Sequence, residues 1–159
     1  MSTSLPPSIT LDLAWEGEMR FAGTTGQVKM VLDGNATVGP TPVQALGFGL
    51  AGCMAIDIVS ILTKGRLLIQ GLHARLVGER RSEDPKYFTR MSLHFVLSGQ
   101  IPDPAVERAI ELSREKYCSV WHSLRQDIDF RTTFEIVRPC RSSRIRCGQK
   151  RMGGRESGK

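Results

Sequence analysis

Between Gly39 and Gly65 the chain reads GPTPVQALGFGLAGCMAIDIVSILTKG, and from Val43 to Leu62 only Gln44, Asp57 and Ser60 are plainly polar. The ends of this stretch carry helix signals. The Thr41 hydroxyl can accept from an otherwise orphaned N–H of the first turn. Pro42 falls at the first helical position, where its missing N–H costs nothing, and Gln44 stands at capping-box spacing from Thr41. Lys64 suits the negative end of the helix dipole, and Gly65 is a natural residue to end on. A helix that is apolar all round has to be buried all round, so this one segment dictates what the rest of the chain must supply.

Two other readings of the stretch lose to this one. Gly47, Gly49 and Gly52 spell G-x-G-x-x-G, but a dinucleotide fingerprint needs a strand just before the glycines and an acidic residue about 20 positions on. Here they lie inside the helix, and Gln70 and Gly71 occupy the acidic region. They fit better as small residues that let another helix approach, at roughly 1 kcal/mol each in helix propensity. The length would also suffice for a membrane span. Asp57 near its middle and strand-like amphipathic segments on both sides favour a core helix instead, and no membrane is expected.

Those flanking segments alternate with period two. Ile9 to Trp15, Met19 to Ala22 and Gln27 to Leu32 read as a three-stranded meander ahead of the helix, with turns at Glu16-Gly17, Gly23 to Gly26 and Asp33-Gly34-Asn35. Leu67 to Arg80 and Tyr87 to Ser98 read as a long hairpin. Asp103 as N-cap with Pro104 behind it opens a second helix, a short helical turn follows around Ser119 to Arg125, and Asp127 to Val137 is a last strand. The order βββ-α-ββ-α-(α)-β makes an α+β domain over residues 9–137, preceded by a flexible lead at 1–8. One small sheet cannot cover a helix on all sides, so the expected assembly is an obligate homodimer in which two central helices pack between two sheets.

Charge separates the last segment from the rest. The net charge is +6, yet residues 138–159 hold eight Lys/Arg and one acid, leaving the body with 14 basic and 15 acidic residues. The body carries no electrostatic footprint for nucleic acid. RPCRSSRIRCGQKRMGGRESGK has no periodicity and reads as a disordered basic tail; Cys140 and Cys147 fall in it and are given no role. The start MSTSLPPS lacks the basic and apolar regions of a signal peptide. A cytoplasmic, reducing location is the default expectation, in which cysteines are reactive, metal-binding or inert rather than structural disulfides.

Cys53 sits mid-helix among small residues, where a substrate could approach, and a thiol is chemically useful when it can ionise and when something can resolve what it forms. The bland alternative is a small core hydrophobe. Cys118, in EKYCSV, lies at a helix end beside charged residues, with the same alternative. Asp57 shares a helix face with Cys53, and could orient a basic group or simply be hydrogen-bonded. Cys118 and His122 have the i,i+4 spacing of paired metal ligands, but no third ligand is evident in the sequence. Ser113 to Lys116 matches S-x-x-K without the supporting motifs of that hydrolase class.

Three blocks in order, GPTPVQAL…LAGCMAIDIVSILTKGR (Gly39 to Arg66), ERR…FTRMSLHF (Glu79 to Phe95) and ELSREKYCSV (Glu111 to Val120), resemble the OsmC/Ohr family (osmotically induced protein, organic hydroperoxide resistance), in particular its YhfA-like branch. The resemblance spans roughly residues 9–137. It implies an intertwined α+β homodimer with long buried central helices between curved antiparallel sheets. It also implies a thiol-dependent peroxidase reducing organic hydroperoxides, with Cys53 peroxidatic and Cys118 resolving, an external dithiol such as lipoyl as reductant, and no metal or flavin. The peroxidase pattern has a Glu after the proline that opens the central helix, paired with an Arg near the N-terminal strands that lowers the thiol pKa and holds substrate. Here that position is Val43, and Arg20 lies in the right region for the Arg. The alternative consistent with Val43 is a non-catalytic dimeric protein of the same fold that binds a small apolar or electrophilic ligand.

Overall fold

A computed structural model describes residues 8–137. The expectations for the tail at 138–159, and for all but the last residue of the lead at 1–8, lie outside those residues. Strands β1 (Asp12–Gly17), β2 (Arg20–Thr25) and β3 (Val28–Asp33) form an antiparallel meander in the order β1-β2-β3. Helix α1 (Pro42–Lys64) follows, then the hairpin β4 (Ile69–Arg80) and β5 (Phe88–Gly99), helix α2 (Asp103–Leu112), a π-helical turn at Ser113–Tyr117, the short helix α3 (Ser119–His122) and strand β6 (Asp129–Val137). The α+β class and the element order are as the sequence implies.

The start of α1 follows its sequence signals closely. The Gln44 amide donates to the Thr41 hydroxyl at 3.2 Å, and the Gln44 side chain accepts from the Thr41 amide at 2.8 Å, completing the capping box. The C-terminus departs from expectation. Gly65 keeps a φ of −73°, and it is Arg66 that takes the left-handed conformation, at φ 60°. The Leu67 amide then closes back on the Leu62 carbonyl at 3.0 Å. The loop leading into α1 is built on Asp33, which is buried at the end of β3. Its carboxylate accepts from the amides of Asn35 (2.9 Å), Thr37 (3.0 Å) and Val38 (3.1 Å) and from the Thr37 hydroxyl. Those bonds, the Thr37 hydroxyl first, hold its pKa far below the usual carboxylate range.

Gly47, Leu50, Met54, Ile58 and Leu62 form the one buried stripe of α1. They pack into a core with Met91, Leu93, Phe95 and Leu97 of β5, Val106, Ala109 and Ile110 of α2, and Trp121 and Phe130. Within a single chain, therefore, the central helix is buried along one face and not all round. One sheet and α2 can cover only that face. Phe48 and Ile56 are 70% and 71% exposed on the other, and Trp15, Leu13 and Val28 of the first sheet are 60–68% exposed. Of the helix glycines, only Gly47 stands against the chain's own sheet, where an added Cβ would meet Leu76 at 3.6 Å; one at Gly52 would meet nothing within 4 Å.

Two further details correct the sequence reading. The second sheet is mixed, not antiparallel throughout: β4 pairs antiparallel with β5, but β6 pairs with β5 in parallel, from Arg90 opposite Asp129 to Ser98 opposite Val137. The connection from β5 to β6 carries α2, the π-turn and α3, and a helical crossover of that length is what a parallel pairing needs. Helix α2 begins at Asp103 with Pro102 in the cap position, so Asp103 is the first helical residue and not the cap.

Candidate active site: two thiols and a carboxylate

Cys53 and Asp57 lie one turn apart on α1, which puts both side chains on one helix face. Cys118 reaches the same place from the other side of the chain through a local irregularity. After α2 the backbone widens into the π-turn, closed by the Cys118 amide donating to the Ser113 carbonyl at 2.8 Å. Cys118 leaves that turn with extended backbone (ψ 91°) and becomes the N-cap of α3. Its Sγ accepts from the Trp121 amide at 3.4 Å.

The Sγ of Cys53, the Sγ of Cys118 and a carboxylate oxygen of Asp57 all lie within 4.8 Å of one another. Both thiols are free. The two cysteines differ in environment: Cys53 is half-buried, whereas Cys118 is completely buried. Burial pushes the Cys118 thiol up from its ordinary 9.0 to about 11. The neighbouring Cys53 thiol and the Asp57 charge add to the rise, and the Trp121 amide works against it. Ser113, also buried, donates from Oγ to Asp57 Oδ2 at 2.8 Å and fixes the carboxylate. The floor under Cys118 is aromatic: Trp121 and Phe130 stack at 4.4 Å between centroids, with the Arg114 guanidinium 5.6–6.0 Å from both rings.

The structure thus brings together Cys53 and Cys118, the pair indicated by resemblance, and adds Asp57 and Ser113. Ser113 could not have been found by spacing, because it stands at the end of α2, 56 positions from Asp57, and meets it only through the packing of the fold. Arg20 is not joined to the pair. It sits on β2 with its ion pair to Glu18 at 3.5 Å, and its buried Nε has no hydrogen-bond partner among the described residues. No hydrogen bond or ion pair links it to either thiol within one chain's described residues. The other cations near the hairpin are engaged elsewhere, Arg80 with the Lys86 carbonyl at 2.6 Å and Arg81 with Glu83. His122 is exposed and stands outside the thiol–carboxylate group, and His94 bonds to the Thr133 hydroxyl at 2.8 Å.

The profile of the family described as OsmC-like protein matches residues 33–133, which include every residue of the group. Protein YhfA of Escherichia coli K12 is 39% identical over 126 residues, covering 77% of this chain and 94% of that protein. A crystal structure of a hypothetical protein from Aquifex aeolicus VF5 superposes with a TM-score of 0.79 at 25% identity, over 84% of this chain and 99% of that one. The Legionella pneumophila structure described as an organic hydroperoxide resistance protein, OsmC, superposes with a TM-score of 0.63 at 15% identity, over 83% and 99% of the two chains. With a family match across most of the described chain and a relative this similar over nearly its whole length, the chain belongs to the OsmC-like family.

Proposed function

We propose that this protein is a thiol-dependent peroxidase that reduces organic hydroperoxides through Cys53 and Cys118. The observation that carries the reading is the meeting of the two sulfurs within 4.8 Å, from elements far apart in sequence. Structural neighbours whose descriptions name organic hydroperoxide resistance, from Legionella pneumophila and Bacillus subtilis among others, support it.

The difference in burial supports a division of roles. Half-buried Cys53 is the thiol that a peroxide can reach. Its thiolate attacks the distal peroxide oxygen, the O–O bond breaks, and the alkoxide leaves as the alcohol after taking a proton, which makes Cys53 a sulfenic acid. Buried Cys118, held as the thiol by its raised pKa, is poorly suited to attack peroxide but well protected until a sulfenic acid forms beside it. Its sulfur then attacks the Cys53 sulfur, hydroxide leaves as water with the Cys118 proton, and a disulfide results. The Asp57 carboxylate, within reach of both sulfurs, can accept and pass on that proton. An external dithiol such as lipoyl reduces the disulfide by exchange. This chemistry suits the cytoplasm, where such reductants keep thiols reduced.

The uncovered apolar face of α1 and the exposed apolar residues of the first sheet support a homodimer in which each chain's helix is covered by the other. In that assembly Arg20 would serve the thiol of the partner chain, since it does not meet its own. Val43 in place of an acidic residue favours a second reading, in which the same fold binds a small apolar or electrophilic ligand without turnover. Peroxide consumption with a dithiol reductant decides between them. The peroxidase reading expects turnover that Cys53→Ser abolishes, with a Cys53–Cys118 disulfide trapped after one equivalent of cumene hydroperoxide. Saturable ligand binding with both thiols untouched would sink it.

A further inference from the structure

We propose that the reduced protein binds one thiophilic divalent cation of the Zn²⁺ class between Cys53 Sγ, Cys118 Sγ and a carboxylate oxygen of Asp57. The three donor atoms lie within 4.8 Å of one another. A tetrahedral zinc site with Zn–S near 2.3 Å and Zn–O near 2.1 Å sets its ligands about 3.5–3.8 Å apart. From an upper limit of 4.8 Å, metal binding has to draw the donors together by up to about 1 Å. Two thiolates and one carboxylate select a soft or borderline cation over magnesium or calcium, which prefer oxygen alone.

The surroundings are those of a held site. The Ser113 hydroxyl bonds to Asp57 Oδ2 at 2.8 Å, leaving Oδ1 free to ligate, and the Trp121 amide donates to the Cys118 sulfur at 3.4 Å. Bonds of this kind orient metal ligands. Cys53 and Asp57 ride on one stiff helix, and Cys118 is fixed as the cap of α3. Among the described residues no Lys, Arg or His pairs with Asp57. A half-buried carboxylate lies within 4.8 Å of two sulfurs with no ion-pair partner among the described residues, and a bound cation supplies a compensating charge. Binding turns both thiols into thiolates, and their two protons pass to solvent.

Three protein ligands leave a tetrahedral cation one further position, and Cys53 and Asp57 are the half-buried members of the set, so the cation enters from their side. Once there it takes one lone pair of the Cys53 thiolate and draws charge from the sulfur, which lowers its nucleophilicity toward a peroxide. A disulfide between the two cysteines removes both thiolates, so metal and disulfide exclude each other. None of this depends on the peroxidase reading, because binding is measured without peroxide.

The test uses the full chain with Cys140→Ser and Cys147→Ser, so that only the two site thiols remain, reduced and kept under nitrogen. Titration with Co²⁺ should give a thiolate-to-cobalt charge-transfer band that saturates at one equivalent and is displaced by Zn²⁺. Cys118→Ser should abolish the two-thiolate band. Asp57→Asn, which keeps the shape and can still accept from Ser113, should weaken binding at least tenfold or so, since even outer-shell partners of a metal are worth about 10–100-fold. Should the asparagine variant fail to fold by circular dichroism, protection of the half-buried Cys53 from iodoacetamide by stoichiometric Zn²⁺ in the parent, lost in Cys118→Ser, carries the test. No band at one equivalent, a band that survives Cys118→Ser, unchanged affinity in a folded Asp57→Asn protein, or Cys53 left unprotected by Zn²⁺ each overturns the proposal. Peroxide turnover without metal binding would defeat this site and leave the peroxidase standing. Metal binding without turnover would do the reverse.

Discussion

The raised pKa of Cys118 makes a prediction that alkylation kinetics can read directly. In the full chain with Cys53→Ser, Cys140→Ser and Cys147→Ser, Cys118 is the only thiol, and only its thiolate reacts with iodoacetamide. A thiol of ordinary pKa 9.0, as in the unfolded chain, has about 1% thiolate at pH 7. With the folded value at about 11, the fraction falls to about 0.01%. Native protein should therefore react at least about 100-fold more slowly than protein in 8 M urea at pH 7, before any steric protection is counted. The pH profile is the sharper signature. In urea the rate should level off just above pH 9; in the native protein it should keep climbing tenfold per pH unit until near pH 11. Cys53→Ser removes one of the contributors to the rise, but burial is the largest of them, and Cys118 has no exposed surface in the fold. Because the folded pKa lies above the unfolded one, the linked stability is present below pH 9 and is lost as the pH rises toward 11, where the unfolded chain releases the proton more readily. A native profile that levels at or below pH 9 would refute both the burial argument and the assignment of Cys118 as the protected thiol.

Three further outcomes follow from the geometry. Thr41→Ala removes the hydroxyl half of the capping box at the start of α1 and should lower stability by about 1 kcal/mol, measured as a shift in the urea midpoint. Gly39→Ala would put a Cβ 2.3 Å from the Val31 carbonyl oxygen, a backbone atom that cannot step aside; the loss should reach the upper part of the usual range, about 2–3 kcal/mol, by the same assay. Light scattering at micromolar concentration should give twice the chain mass, with Phe48→Asp, at a residue 70% exposed on one chain, shifting it toward the monomer. A monomeric parent protein would remove the homodimer.

What the sequence disclosed divides by the range of the interaction. The start of α1 was legible because cap, proline and Gln44 signal within a few residues of one another. The strands were legible from period-two alternation. The direction of β6 was not, because alternation is the same in parallel and antiparallel pairing, and only the path of the crossover decides. The exposure of the outer face of α1 in one chain follows from its uniform apolarity, which says that the helix must be covered but not by which chain. The π-turn at SREKY left no mark at all. Its residues suit an ordinary continuation of α2, and the widening shows only in the hydrogen bond from Cys118 to Ser113. Asp57 was visible as an oddity on an apolar helix, whereas its partner Ser113 was not. The pairing of Cys118 with Cys53 entered through family resemblance and not through spacing.

The remaining tension concerns the charge that the proposed peroxidase needs at Cys53. A thiolate in the middle of α1 gains little from the helix dipole, whose influence is confined to the terminal turns. The Cys118 sulfur and an Asp57 carboxylate oxygen lie within 4.8 Å of the Cys53 sulfur, and neither is a cation. Arg20, the cation that family resemblance would supply, sits on β2 and pairs with Glu18 in the β1–β2 turn. The peroxidase proposal therefore looks for that charge outside one chain's described residues, and two sources are proposed: a guanidinium from a second copy across the uncovered face of α1, or a cation held by Asp57 and the two thiols. Their consequences are opposite. A guanidinium stabilises the thiolate by hydrogen bonding and leaves it nucleophilic, whereas a coordinated metal stabilises it by drawing charge off the sulfur, which makes it a poorer nucleophile. Taken together, the two proposals expect the same sulfur to be switched on by assembly and off by metal, with Asp57 as the residue through which the second state becomes available.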